Sequence, residues 1–180
     1  LDNNVDWFTW DTDGMGTGLK RQISLAFDNT KTDFHGFSGA LSGKGQDNAK
    51  KVYIPIDKEE SKPKTYADTF KNNRAQFYGI LADRMYNTYR CVVRGKYIDP
   101  ENMISFDTDG IENIDVLRSE LCSIPKKDTG SGLYQILSKA DMKKLGIASP
   151  NLADAIMMTM WIPEIEPEWA ELDYKQRRVV

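Results

Sequence analysis

A run of strand-forming aromatics that stops on an acid most constrains how this chain can fold: Val5-Asp6-Trp7-Phe8-Thr9-Trp10-Asp11, followed at once by Gly14, Gly16 and Gly18. Large β-formers bounded by turn residues predict a buried strand over residues 5–11. The glycines predict a tight turn, and a helix follows with Leu19, Ile23, Ala26 and Phe27 on one face. A carboxylate closing a buried strand is costly unless something pairs with it. The C-terminal edge of a strand is also where α/β sheets present ligands. Asp11 therefore reads either as a metal ligand or as a residue that ends the strand. Asp13 is a second candidate ligand, or a cap for the turn or the helix after it.

Downstream, Asp33-Phe34-His35-Gly36-Phe37-Ser38-Gly39 reads as a short strand, and residues 38–64 as a long loop rich in glycine, lysine and proline. The spacing of Phe70, Phe77, Ile80, Leu81 and Met85 predicts a long helix over roughly 66–93. Residues 112–122 predict another, with Ile114, Leu117 and Leu121 inward. A strand is expected at 132–137 and a short helix at 139–145, closed by Gly146 in a left-handed cap. The last helix has the clearest start. Ser149 can cap it, Pro150 suits its first position, and Leu152, Ile156, Met157 and Met160 are expected to face the core. Helices alternating with strands argue for an α/β layer fold.

Composition removes several chemistries. A single histidine, His35, makes histidine-rich zinc sites and Ser-His-Asp triads poor fits. Two distant cysteines, Cys91 and Cys122, suggest free thiols. Any metal here is expected on oxygen ligands, which points to magnesium or manganese. No run of about 18 apolar residues suggests a membrane span. The net charge of -3 hides a basic middle. Lys44, Lys50, Lys51, Lys62, Lys64 and Lys71, extended by Arg74, can track a phosphate backbone or simply be solvated. Residues 163–180 form an acidic tail that turns basic at its end.

Asp154 interrupts the apolar turn Leu152-Ala153-Asp154-Ala155-Ile156. It reads as a first-turn acid favoured by the helix dipole, or as an acid facing Asp11 across a metal. Two other motifs fail. Neither Asp11 nor Asp107 begins an EF-hand loop, because the acids needed later in the loop are absent. Gly14-Met15-Gly16-Thr17-Gly18 lacks the Lys-Ser/Thr of a P-loop. The second Asp-Thr-Asp-Gly, at 107–110, reads as a surface turn.

Four segments, WDTDGMGTGLKRQ, FKNNRAQFYGILADRMY, LSKADMKKLGI and SPNLADAIMM, resemble in this order the C-terminal nuclease domain of the large terminase subunit of tailed bacteriophages. The resemblance runs from about Val5 to Ile162 and assigns residues 1–162 to that domain. It implies a ribonuclease-H-like α/β fold, a mixed sheet flanked by helices. It also implies two divalent ions, magnesium or manganese, and endonucleolytic cutting of double-stranded DNA during genome packaging. Asp11 matches a strand-borne catalytic metal ligand and Asp154 a helix-borne one. The implied partners are an ATPase motor domain of the same full-length protein, the portal and the small terminase subunit, in the cytoplasm of a bacterial host. The family pattern has one more aspartate on an earlier central strand. The glycine turn suits the second acidic strand, which puts the first acid upstream of Leu1 and leaves an N-terminal strand missing. In the other register, Asp13, Asp33 or Asp107 must supply the missing ligand. The competing function is a catalytically incomplete prophage remnant, or a module that docks on portal or DNA.

Overall fold

The computed structural model describes residues 5–42, 49–53, 63–128 and 130–161. The chain is a mixed α/β structure whose sheets, among those residues, are small. Strand β1 (Trp7–Asp11) pairs in parallel with β2 (Asp33–Phe37), in the register Trp7 to Asp33 and Asp11 to Phe37. The connection is a 3-10 turn at Gly14–Leu19 followed by helix α1 (Lys20–Ala26). The expected inward face of this helix holds only in part. Phe27 is buried and Ile23 half-buried, whereas Leu19 and Ala26 are exposed, because α1 covers only one side of a narrow sheet.

A second, antiparallel pair joins β3 (Val52–Tyr53) to β4 (Lys64–Thr65). The helix expected over 66–93 is two helices. Helix α2 (Tyr66–Thr69) is capped by Thr65, and α3 (Asn73–Arg94) by Asn72, whose side chain accepts from the Ala75 N–H at 3.0 Å. Phe70 lies between them in extended backbone and bridges Tyr134 in parallel. The N–H of Tyr134 donates to Thr69 O and that of Lys71 to Tyr134 O. Those bonds replace the helical ones that a continuous helix would make. They also account for the expected strand at 132–137, which forms isolated bridges through Tyr134 and Ile136 and no ladder.

Helices α4 (Ile114–Cys122), α5 (Lys139–Lys144) and α6 (Asn151–Met158) complete the fold. Gly146 closes α5 with φ at 71°, as its position predicted. Phe37, Phe77, Tyr78, Leu81, Ile136, Ala153 and Met157 form the core. Each large apolar side chain fully buried there contributes roughly 1.5–3 kcal/mol. On α6 the inward residues are Ala153, Asp154 and Met157, whereas Leu152 is exposed. Ile156, Met157 and Met160 pack on the core as expected, and Asp154 is buried beside that stripe.

Beside this core, Tyr53, Tyr66, Phe70 and Tyr134 pack on one another, and Asp83 Oδ2 accepts from the Tyr53 hydroxyl at 2.7 Å. Burial pushes the Asp83 carboxyl above its ordinary 3.8, and the Tyr53 bond offsets only part of that. A carboxyl with a raised folded-state pKa favours the protonated form. Its cost therefore sets in as pH rises from 3.8 through the folded value and persists at neutral pH. Asp83→Asn, which keeps an acceptor for Tyr53, is expected to gain on the wild type as pH rises from acid to neutral. Thermal unfolding of both proteins across that range checks it; a stability difference that is flat with pH would contradict it.

Candidate metal centre

Four elements bring charged groups to one place: the end of β1, the start of α3, the start of α5 and the first turn of α6. Asp154 is 11% exposed at its side chain. Its Oδ1 accepts three hydrogen bonds, from Arg74 Nε at 3.2 Å, Arg74 Nη2 at 3.1 Å and the Tyr78 hydroxyl at 2.7 Å. Arg74 and Tyr78 are four residues apart on α3, so one helix face presents both. The third arm of the guanidinium, Nη1, donates to Leu137 O at 2.9 Å. Burial first, then the adjacent Asp154 charge, pushes the Tyr78 phenol far above its ordinary value, so it stays a donor.

The other oxygen, Asp154 Oδ2, is buried and accepts no well-aligned hydrogen bond. Lys139 Nζ lies 3.0 Å from it and 3.8 Å from Asp11 Oδ2. One ammonium thus stands within ion-pair reach of both acids. Asp11 is 44% exposed, and its Oδ1 accepts from the Asp13 N–H at 2.8 Å. The oxygens left over are therefore the two that face a shared cation.

Asp13 is occupied elsewhere. Its Oδ1 accepts from Ser38 Oγ at 2.8 Å and its Oδ2 from the Ala40 N–H at 2.9 Å, which fastens the loop after β2. Asp33 begins β2 at the end away from Asp11, about 13 Å along the strand. Asp107 accepts from the Asp109 N–H in an exposed turn. Among the described residues, no group of three or more His, Cys, Asp or Glu could hold a metal.

The glycine turn reaches Asp11 through packing. Trp10 Nε1 donates to Gly16 O at 3.2 Å, and a Cβ at Gly16 would stand 1.6 Å from Asp11 O. The turn can close on the end of the strand only with no side chain there. His35 is an exposed strand residue whose ring stacks on Trp7 at 4.3 Å.

The basic track divides. Lys50, Lys51, Lys64 and Lys71 are exposed on and beside the β3–β4 pair and α2. Lys44 and Lys62 lie outside the described residues, as does the tail 163–180. Arg74 does not extend the track outward. At 14% exposure it turns into the protein, because a buried carboxylate and a carbonyl need its donors. Lys139 and Tyr78 are site residues that sequence reasoning missed. The signal available for Tyr78 was its spacing of four from Arg74; for Lys139 it was a lysine just after the helix-capping Ser138.

No protein-family model matches the sequence, and no curated protein matches it significantly. Solved structures do. The nuclease domain of the large terminase subunit gp2 of bacterial virus Sf6 is 43% identical, with a TM-score of 0.76, over 88% of this chain and 66% of that one. A lysine-to-alanine mutant of the Sf6 domain with manganese, 42% identical over the same shares, has a TM-score of 0.74. The same kind of mutant with calcium has one of 0.75. The chain thus spans just under two thirds of the length of the domains it matches.

Proposed function

Because the chain belongs to the family of phage large-terminase-subunit nuclease domains, we propose that it is a divalent-cation-dependent endonuclease domain that cuts double-stranded DNA during genome packaging. The proposed architecture is the ribonuclease-H-like one, with β1 as an acid-bearing strand. The observation that carries the reading is the convergence of Asp11 Oδ2 and Asp154 Oδ2 on one cation, Lys139 Nζ. A buried carboxylate oxygen without a well-aligned donor, beside a second carboxylate, suits a magnesium or manganese ion.

Asp11 and Asp154 would hold that ion. Bound there, it supplies a water of lowered pKa and charge stabilisation at the phosphodiester. The protein's own groups prepare the site. Arg74 and Tyr78 saturate Oδ1 of Asp154 and aim Oδ2 at the shared position. The Asp13 N–H holds the Asp11 carboxylate against rotation. Lys139 compensates both acids. Two ions need more carboxylates than this pair, so a complete two-ion site requires a further acid. Lys50, Lys51, Lys64 and Lys71 are proposed to follow the DNA backbone. The motor domain, portal and small subunit are proposed partners of the complete assembly, in the cytoplasm of a bacterial host; among the described residues no helix is long and apolar enough to cross a membrane.

The chain is expected to bind manganese in calorimetric titration, and to nick supercoiled plasmid with manganese present and not with a chelator. No uptake of manganese at millimolar concentration, with DNA still bound, would replace this reading with a docking module.

A further inference from the structure

We propose that Glu120 is a positioning residue that sets the rotation of α6 and so aims Asp154; the proposal rests on the reading of Asp154 as a metal ligand. The first turn of a helix leaves N–H groups without partners inside the helix. The segment that begins α6 supplies no side chain for them. Ser149, which the sequence offers as the cap, donates its hydroxyl to Asn151 Oδ1 at 2.9 Å instead. The acceptor comes from another helix: Glu120 Oε2 takes the Ala153 N–H at 2.9 Å, across 33 positions of sequence.

Helix α4 is well placed to do this. Leu117, three positions before Glu120 and on the same side of α4, is buried, and Leu121, next to Glu120, packs on the core cluster. The carboxylate is therefore delivered from an anchored surface. Its negative charge also suits the positive end of α6. Ala153 is completely buried and directly precedes Asp154. Packing and hydrogen bond together fix the turn from which Asp154 reaches Arg74 and Tyr78. Glu120 acts on backbone, so its effect on the chemistry passes through Asp154.

The test uses the full chain carrying Glu120→Ala, Glu120→Gln or Leu117→Val. Manganese affinity is measured by calorimetry below the onset of unfolding, and the Asp154 carboxyl carbon is followed by NMR without metal. Glu120→Ala is expected to weaken manganese binding about 10–100-fold, as outer-shell changes do, and to shift the Asp154 resonance. Glu120→Gln, which keeps an acceptor oxygen, restores both. Leu117→Val lowers the melting temperature and leaves both unchanged. If Glu120→Ala does not fold, Glu120→Asp, one methylene short of reach, is read in the same way. An Asp154 resonance that stays in place overturns the proposal. Should the wild type take up no manganese while the resonance moves, the metal reading falls and the hold of Glu120 on Asp154 stands.

Discussion

Asp154→Asn is expected to fold and to lose manganese-dependent plasmid cutting, by more than the roughly 10–100-fold that outer-shell substitutions cost. The amide keeps an oxygen for Arg74 and Tyr78 but removes the charge that a cation needs. Asp154→Ala should lose cutting as well, together with stability. It would leave the Arg74 guanidinium and the Tyr78 hydroxyl facing an empty position in a nearly closed environment. Breaking a buried pair on one side costs on the order of 3–5 kcal/mol. Comparing the two variants by plasmid nicking and thermal unfolding separates loss of the ligand from loss of the fold. An Asp154→Asn protein that cuts like wild type would remove Asp154 from the site.

Gly16→Ala is expected to be the most damaging single-methyl change in the N-terminal half. The added Cβ would fall 1.6 Å from Asp11 O and 2.8 Å from Asp11 C, and neither atom belongs to a flexible side chain. Forcing extra atoms into a packed site costs about 1–3 kcal/mol, occasionally more; a clash with strand backbone belongs at or above the top of that range. Gly18 is the internal control, since a Cβ there meets nothing within 4 Å. Gly18→Ala should leave the denaturant midpoint close to that of the wild type, while Gly16→Ala lowers it sharply and weakens manganese binding through the displaced Asp11. Equal midpoints for the two variants would show that the turn does not close on the strand.

What could be read in advance was local. The β1 run, the glycine turn, α4, α5 and its Gly146 cap follow from propensity and period, which neighbouring residues decide among themselves; the burial expected of β1 does not, since Trp7–Asp11 is only half-buried and Val5 is exposed. Asp11 and Asp154 stood out because each breaks an apolar setting. What escaped depends on residues far apart in sequence. The break at Phe70 exists because Tyr134 competes for its backbone. Arg74 looked like one more cation in a basic region, and only the buried acid 80 positions later draws it inward. Ser149 was the obvious cap by position, yet a glutamate on another helix makes the bond. On α6 the apolar face was legible except at Leu152, whereas the burial of Asp154 depends on Arg74 and Tyr78, which no apolar pattern expresses.

The span between Arg74 and Asp154 has a consequence for synthesis. During translation the helix bearing Arg74 leaves the ribosome well before the segment bearing Asp154, and the guanidinium has no carboxylate to meet until that later stretch emerges. Closing so long a loop comes at an entropic cost that only the finished packing repays. A nascent or prematurely terminated chain therefore carries Arg74 and Tyr78 without the carboxylate they bind, and the proposed metal centre stays unassembled. Any activity of the proposed kind would then wait until the stretch through Met158 has been made and packed.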